Sequence, residues 1–333
     1  MVQDAPGTVR RAVAIGGGTG LPIVLRALVD LGFETTAIVT MADDGGSSGL
    51  LRRELGMLPP GDARNCLVAL SDPDSLTARL FQYRFPHGEG LAGHALGNLM
   101  IAALADLTGG FPEAIEASER LLGARGRVLP STLEDVILHA EDRLGRPVSG
   151  QANIAASEEA VANVVLEPES PAAYRPALDA IAEADVIVVG PGSLFTSVIP
   201  NFLVANVADA VRTSHGRRVY VCNVANQRGE TCGLDAADHV RALVEHGLDD
   251  ALDVVLVRET SSTGALAVGV CPESGAAVEA VRSDAEILAA IAALVREVVA
   301  TDLVDPAHPT RHDPAKLEAA LASVLGLPRD RTA

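Results

Sequence analysis

Lysine is almost missing from this chain: Lys316 is the only one among 333 residues, and every other basic side chain apart from histidine is an arginine. That scarcity excludes a P-loop, which grips phosphate with a lysine, and leaves almost no room for Schiff-base chemistry. Cysteine is sparse too. Cys66, Cys222, Cys232 and Cys271 fall in no CxxC or Cys/His spacing, which argues against structural zinc and fits a reducing compartment. No apolar run is long enough to span a bilayer, and the first residues lack a basic start followed by an apolar stretch and a cleavage site. A cytoplasmic protein without membrane insertion is therefore expected. Positive charge is in deficit overall: a net charge of −18 opposes encounters with nucleic acid or anionic membranes. The catalytic signature H-E-x-x-H is absent, and no ordered Ser/His/Asp set stands out.

What the chain has is apolar residues, 48% of the total, and glycines placed at the ends of apolar runs. This is enough to bury a large core, and one compound domain over residues 11–325 is expected, with flexible termini at 1–10 and 326–333. Residues 11–15 read as a short strand and residues 22–31 as a helix, opened by Pro22 and closed by Gly32. A second strand follows at 35–41, so the start of the chain is a βαβ unit with both strand ends on one sheet edge. Further helices are read at 93–107, 284–300 and 314–325, and further strands at 185–190, 218–223 and 253–257. The segment 126–167 alternates apolar and polar residues in places and reads as a β-rich insertion. Between 72 and 90, Phe81, Tyr83 and Phe85 alternate as in an edge strand or an inward-packed loop.

The candidate site begins at Gly16, Gly17, Gly18, Thr19 and Gly20, where turn amides and a helix start can face an anion. The spacing is not G-x-G-x-x-G, since Leu21 stands where the last glycine belongs. Asp43 and Asp44 end the second strand about twenty residues further on, a position that suits ribose hydroxyls. They also suit a hard cation such as magnesium beside phosphate, with Asp62 as a further ligand, or a solvated turn. Gly190, Gly192 and Ser193 form a second glycine turn after an apolar strand, and Asn223, Asn226 and Gln227 follow the next strand with amides able to read a base or sugar. Asp62 reads as a cap for the helix that it opens, and Ser47 or Ser48 as the cap of the helix carrying Arg52 and Arg53. His94 and Asn98, four residues apart on one helix face, suit either an acid/base pair or packed core residues.

Taken together, Ile15 to Leu21, the run Ala37-Ile38-Val39-Thr40-Met41-Ala42-Asp43-Asp44-Gly45-Gly46-Ser47-Ser48-Gly49, Gly61 to Leu67, Leu91 to Asn98, Gly190 to Ser197, Gly229-Glu230-Thr231 and Arg311 to Pro314 resemble the YvcK family. This is the gluconeogenesis-factor-like branch of the CofD-like proteins, and the resemblance runs from about Val13 to Leu321. It implies an α/β fold of Rossmann-like type: a mostly parallel sheet flanked by helices, with the nucleotide site at its C-terminal edge. It implies binding of UDP-N-acetylglucosamine or a nicotinamide dinucleotide, NAD(P), and a role in supplying cell-wall precursors and in cell shape. It also adds Asn65 and Arg311 to the ligand contacts. Relatives on the CofD branch are 2-phospho-L-lactate transferases that act with magnesium, but they carry N-T-G-D-D where this chain has Thr40-Met41-Ala42-Asp43-Asp44. The expectation is a nucleotide-sugar-binding regulator with no obligatory cofactor, a protein partner in cell-wall precursor metabolism and a homodimer among its assemblies. The alternatives are a transferase using magnesium and an NAD(P)-dependent oxidoreductase.

Overall fold

A computed structural model of the chain describes residues 10–259, 267–270 and 277–327. Cys271, the termini 1–9 and 328–333, and whatever was expected of them lie outside these residues. The first half runs β1 (Arg11–Gly16), α1 (Leu21–Asp30), β2 (Glu34–Val39), α2 (Gly46–Leu55), α3 (Gly61–Ala69), α4 (Leu76–Gln82), α5 (Leu96–Thr108), α6 (Phe111–Leu122) and β3 (Gly126–Pro130). An antiparallel unit follows, with β4 (Ile137–Asp142), β5 (Pro147–Ser149), the short helix α7 (Gln151–Ala155) and β6 (Val161–Glu167). The second half continues with α8 (Arg175–Glu183), β7 (Val186–Val189), α9 (Val207–Thr213), β8 (Arg217–Val221), α10 (Ala236–Leu243) and β9 (Val254–Arg258). It ends with a hairpin, β10 (Ala267–Val270) and β11 (Ala277–Glu279), then α11 (Ala285–Ala292), β12 (Glu297–Thr301) and α12 (Pro314–Val324).

Seven strands form one parallel sheet in the order β12-β9-β8-β7-β1-β2-β3. Its inner strands are buried on both faces, which is why sequences such as VIVV in β7 and RAVAIG in β1 read as near-continuous apolar runs. From β1 the chain builds outward through β2 and β3, then returns to β7 beside β1 and builds the other way. The strand order reverses between β1 and β7, and a crevice opens outside the carboxyl ends of strands at such a switch point. No helix among the described residues is long and apolar enough to cross a membrane.

Three local expectations change. Gly126–Pro130 is not part of the insertion but the edge strand β3, paired in parallel with β2. The antiparallel sheet begins only at Ile137. The helix read across 284–300 stops at Ala292, and Glu297–Thr301 is a β strand against β9. The Ala/Leu-rich stretch carries the helical pattern forward, but Val298, Val299 and Thr301 are β-branched and an open sheet edge is there to receive them. Phe81 lies fully buried in helix α4, while Tyr83 and Phe85 stack edge-on to each other after it.

Candidate functional site

Both glycine turns stand at the switch point, after β1 and β7, and they interlock. A Cβ on Gly20 would sit 2.5 Å from the Pro191 carbonyl oxygen, and one on Gly192 would sit 3.1 Å from the Gly17 carbonyl oxygen. Gly18 (φ +65°) and Gly190 (φ +68°) adopt left-handed backbone, which side chains disfavour. Asn223, at the end of the neighbouring strand β8, clamps the second turn: its side-chain oxygen accepts from Gly192 N at 3.2 Å and its amide donates to Gly192 O at 2.7 Å.

A cavity of about 200 Å³ opens over these turns, lined by Gly18, Thr19, Asp43, Asp62, Gln151, Ser193, Thr196 and Ser197. Its electrostatics are unbalanced. Burial raises the Asp62 carboxyl to about 7, the charge on Asp43 adds to this, and the Gly18 amide and Arg64 act in the opposite direction. Asp43 is raised as well, chiefly by burial, although it accepts the Gly45 amide at 3.0 Å and is hydrogen-bonded by Ser48. The carboxyl pair facing the cavity is thus Asp43 with Asp62. Asp44 turns away and accepts the Ala152 amide at 2.8 Å, in the first turn of α7, tying the antiparallel unit to the sheet edge. Two carboxylates with raised pKa can share a proton or hold a hard cation whose other positions are filled by water and phosphate. Among the described residues no group of three His, Cys, Asp or Glu side chains converges as a metal cluster.

Of the residues expected from sequence, Gly18, Thr19, Asp43 and Ser193 line the cavity, while Gly17, Gly20, Gly190, Gly192 and Asn223 shape its wall. Asn65 accepts from the buried Arg64 guanidinium at 2.7 Å. Gln227 is exposed, and its backbone amide donates to Thr231 Oγ at 2.8 Å. Arg311 is also exposed, next to His312, whose ring lies 3.0 Å from Cys222 O at the end of β8. Neither α2 nor α3 has the side-chain cap expected from Ser47, Ser48 or Asp62. Ser47 instead lies 3.0 Å from His94 Nδ1 and accepts from Asn98 Nδ2 at 3.1 Å, all three buried. This is the packed reading of His94 and Asn98, although His94 precedes α5 rather than sharing a helix face with Asn98, and it pins the glycine-serine loop to the start of α5. Arg52 is held by Asp135 and the Val136 carbonyl.

The residues not singled out from sequence are Gln151, Thr196, Ser197 and Glu230. Thr196 and Ser197 belong to a five-residue helical turn, Leu194–Val198, that continues the second glycine turn. Glu230 is 2% exposed and satisfies the start of that turn: it accepts Phe195 N at 3.2 Å and the Thr196 hydroxyl at 2.6 Å. Both lie within stretches used for the family resemblance, so the signal for them was present. Gln151 comes from the insertion, and nothing in its local sequence marks it.

The sequence pattern described as "2-phospho-L-lactate transferase CofD" matches residues 12–304. The chain is 44% identical over 319 residues to a putative gluconeogenesis factor of Nostoc sp., covering 95% of this chain and 69% of that one. It is 48% identical over 242 residues to the gluconeogenesis factor of Bacillus subtilis, covering 73% and 76%. A crystal structure of a UPF0052 family protein from Bacillus halodurans superposes with a TM-score of 0.86 at 40% identity, over 94% of this chain and 99% of that one. With its parallel sheet, interlocked glycine turns and DDGGSSG loop, the chain belongs to the CofD family, among the gluconeogenesis factors of the YvcK type.

Proposed function

We propose that this protein binds a nucleotide sugar, UDP-N-acetylglucosamine, at the switch-point cavity and acts as a regulator that links carbon metabolism to cell-wall precursor supply and cell shape. The observation that carries this reading is the pair of interlocked glycine turns, beside which hydroxyls of Thr19, Ser193, Thr196 and Ser197 line a cavity of about 200 Å³. The lining side chains are hydroxyls, an amide and two carboxyls, a set suited to holding a sugar phosphate. Gln151 joins the antiparallel unit to the cavity, so an occupied site can alter the surface that a protein partner reads. A second reading, a transferase of the CofD kind acting with magnesium, is favoured by the Asp43/Asp62 pair, because a cation there would neutralise charge on phosphoryl oxygens. Calorimetry against UDP-N-acetylglucosamine, GDP and NADP, with and without magnesium, followed by recovery of the ligand, separates the two. Binding of UDP-N-acetylglucosamine without metal and its return unchanged are expected. Binding only of GDP with magnesium, or an altered product, would overturn the regulator in favour of the transferase.

A further inference from the structure

Glu230 is a carboxyl buried behind the cavity wall, and the cavity's own contacts do not account for it. Its Oε1 lies 2.6 Å from Thr196 Oγ and its Oε2 accepts the Phe195 amide, while its backbone carbonyl accepts Val161 N at 3.0 Å from the antiparallel unit. Thr196 lines the cavity from the other side. One hydroxyl therefore stands between a buried acid and the space a phosphoryl group would fill.

That hydroxyl has one hydrogen, and the state of Glu230 decides where it points. When Glu230 is ionised, Thr196 donates to Oε1 and offers only lone pairs to the cavity, which repel an anion. When Glu230 carries a proton, Oε1–H donates to Thr196 Oγ and the threonine hydrogen is released to donate to a phosphoryl oxygen. Oε2 accepts the Phe195 amide in both states.

We propose that Glu230 is a positioning residue that couples phosphoryl binding to proton uptake: the ligand enters with one proton, held on Glu230, and Thr196 turns its hydrogen from the acid to the ligand. This rests on the reading of the cavity as a phosphate site. The balance is one proton taken from solvent onto Oε1 for each ligand bound, with no covalent bond formed or broken apart from that O–H. Burial supports it by raising the Glu230 carboxyl to about 7, against the hydrogen bonds from Thr196 and Phe195. Ionisable groups on the elements around Glu230 include Arg228 and Glu158, which pair with each other at 3.3 Å, Glu159 in the same turn, Cys232 in its own loop, and Glu245 beside His246, whose ring stands edge-on to Phe195; none of them enters the balance that raises Glu230, which is burial against hydrogen bonds. Asp43 and Asp62 face the same cavity and take up protons of their own, so the role of Glu230 must be read as a difference between variants.

The test is calorimetry with UDP-N-acetylglucosamine in chelator, at pH 8 in two buffers of different ionisation enthalpy, and an affinity profile from pH 6 to 9. Neither the diphosphate diester nor the uracil of this ligand titrates appreciably at pH 8, so the protons counted there belong to the protein. For the wild type, proton uptake at pH 8 is expected, with affinity falling above pH 7 by about tenfold per pH unit for each proton taken up. Glu230→Gln, whose amide donates to Thr196 Oγ as the protonated acid does, should take up close to one proton fewer. It should also bind several-fold more tightly than the wild type at pH 8.5. Thr196→Val should lose affinity at every pH. A merely structural Glu230 would instead give a variant weakened equally across the range. Identical proton uptake and slope in Glu230→Gln and wild type overturns the proposal while leaving nucleotide-sugar binding intact. If the wild type ignores UDP-N-acetylglucosamine but binds NAD, also a diphosphate diester, the nucleotide-sugar reading fails and the same comparison is made with NAD. Binding of neither overturns both.

Discussion

The two edges of the central sheet carry depressions of opposite character. At the amino-terminal edge the larger one, about 610 Å³, is lined by Ser214, Arg217, Arg218, Asp253, Arg296 and Glu297 among others. Its charges satisfy one another: Arg218 grips Asp253 through 2.8 and 2.9 Å bonds, and Arg217 meets Glu297 at 2.6 Å. Burial pushes Asp253 up, but Arg218 outweighs it and leaves the carboxyl below its ordinary range. At the carboxyl edge the cavity is a third of that size, yet Asp43, Asp62 and Glu230 are all pushed the other way, because burial outweighs the nearby charges of Arg52 at Asp43 and Arg64 at Asp62. Volume therefore does not mark the site. What marks it is charge held at a cost in a place where a ligand, a cation or a proton can relieve it.

The strongest way to break this contrast is Arg218→Ala. Removing Arg218 leaves the half-buried Asp253 with only Arg296, 3.4 Å away and itself exposed, so a stability loss of about 3 kcal/mol in urea unfolding is expected, with the affinity for UDP-N-acetylglucosamine unchanged. A large loss of affinity would mean that the two edges are not independent.

Glu230→Gln should act in the opposite direction. The folded chain holds a proton on Glu230 up to about pH 7, whereas an ordinary carboxyl releases it near 4.5. Stability therefore falls as pH rises through that window, and the cost is complete above 7. The variant should be more stable than the wild type at pH 8, on the order of 3 kcal/mol, and equal to it at pH 4. Unfolding curves at the two pH values that keep a constant separation would refute this.

Gly20→Ala brings a Cβ against the Pro191 carbonyl. It should prise the turns apart and weaken ligand binding at least tenfold, or about 1.4 kcal/mol, as read by calorimetry. Asp44→Ala should have the smallest effect: loss of the bond to the Ala152 amide costs about 1 kcal/mol and speeds hydrogen exchange in α7, with affinity little changed. A tenfold fall in affinity would return Asp44 to the ribose.

How much of this was legible along the chain differs between the sheet and the site. The strands β1, β2, β7, β8 and β9 announce themselves, because strands buried on both faces must be apolar throughout. The edge strands β3 and β12 do not, since an edge is only partly buried and its residues pass for insertion or helix. Of the residues that line the cavity, Gly18, Thr19 and Ser193 were readable because turns that expose backbone amides after strands need glycines in fixed order, and Asp43 because it follows the second strand. Asp44 looked equivalent to Asp43 in sequence, but one residue along an extended loop reverses the direction of the side chain.

By itself the sequence determined the class of sheet, the two glycine turns and the family, since all three depend on local apolar runs and short contiguous motifs. Only the tertiary structure decided that β7 returns beside β1 and locks the turns together, that Asp62 rather than Asp44 completes the acidic pair, and that Gln151 and Glu230 reach the site from distant segments. The physical reason is that burial and charge environment are properties of the assembled edge. A carboxyl raised to about 7 gets that value from the low-dielectric surroundings that other strands and loops supply, and no residue's neighbours in sequence encode it.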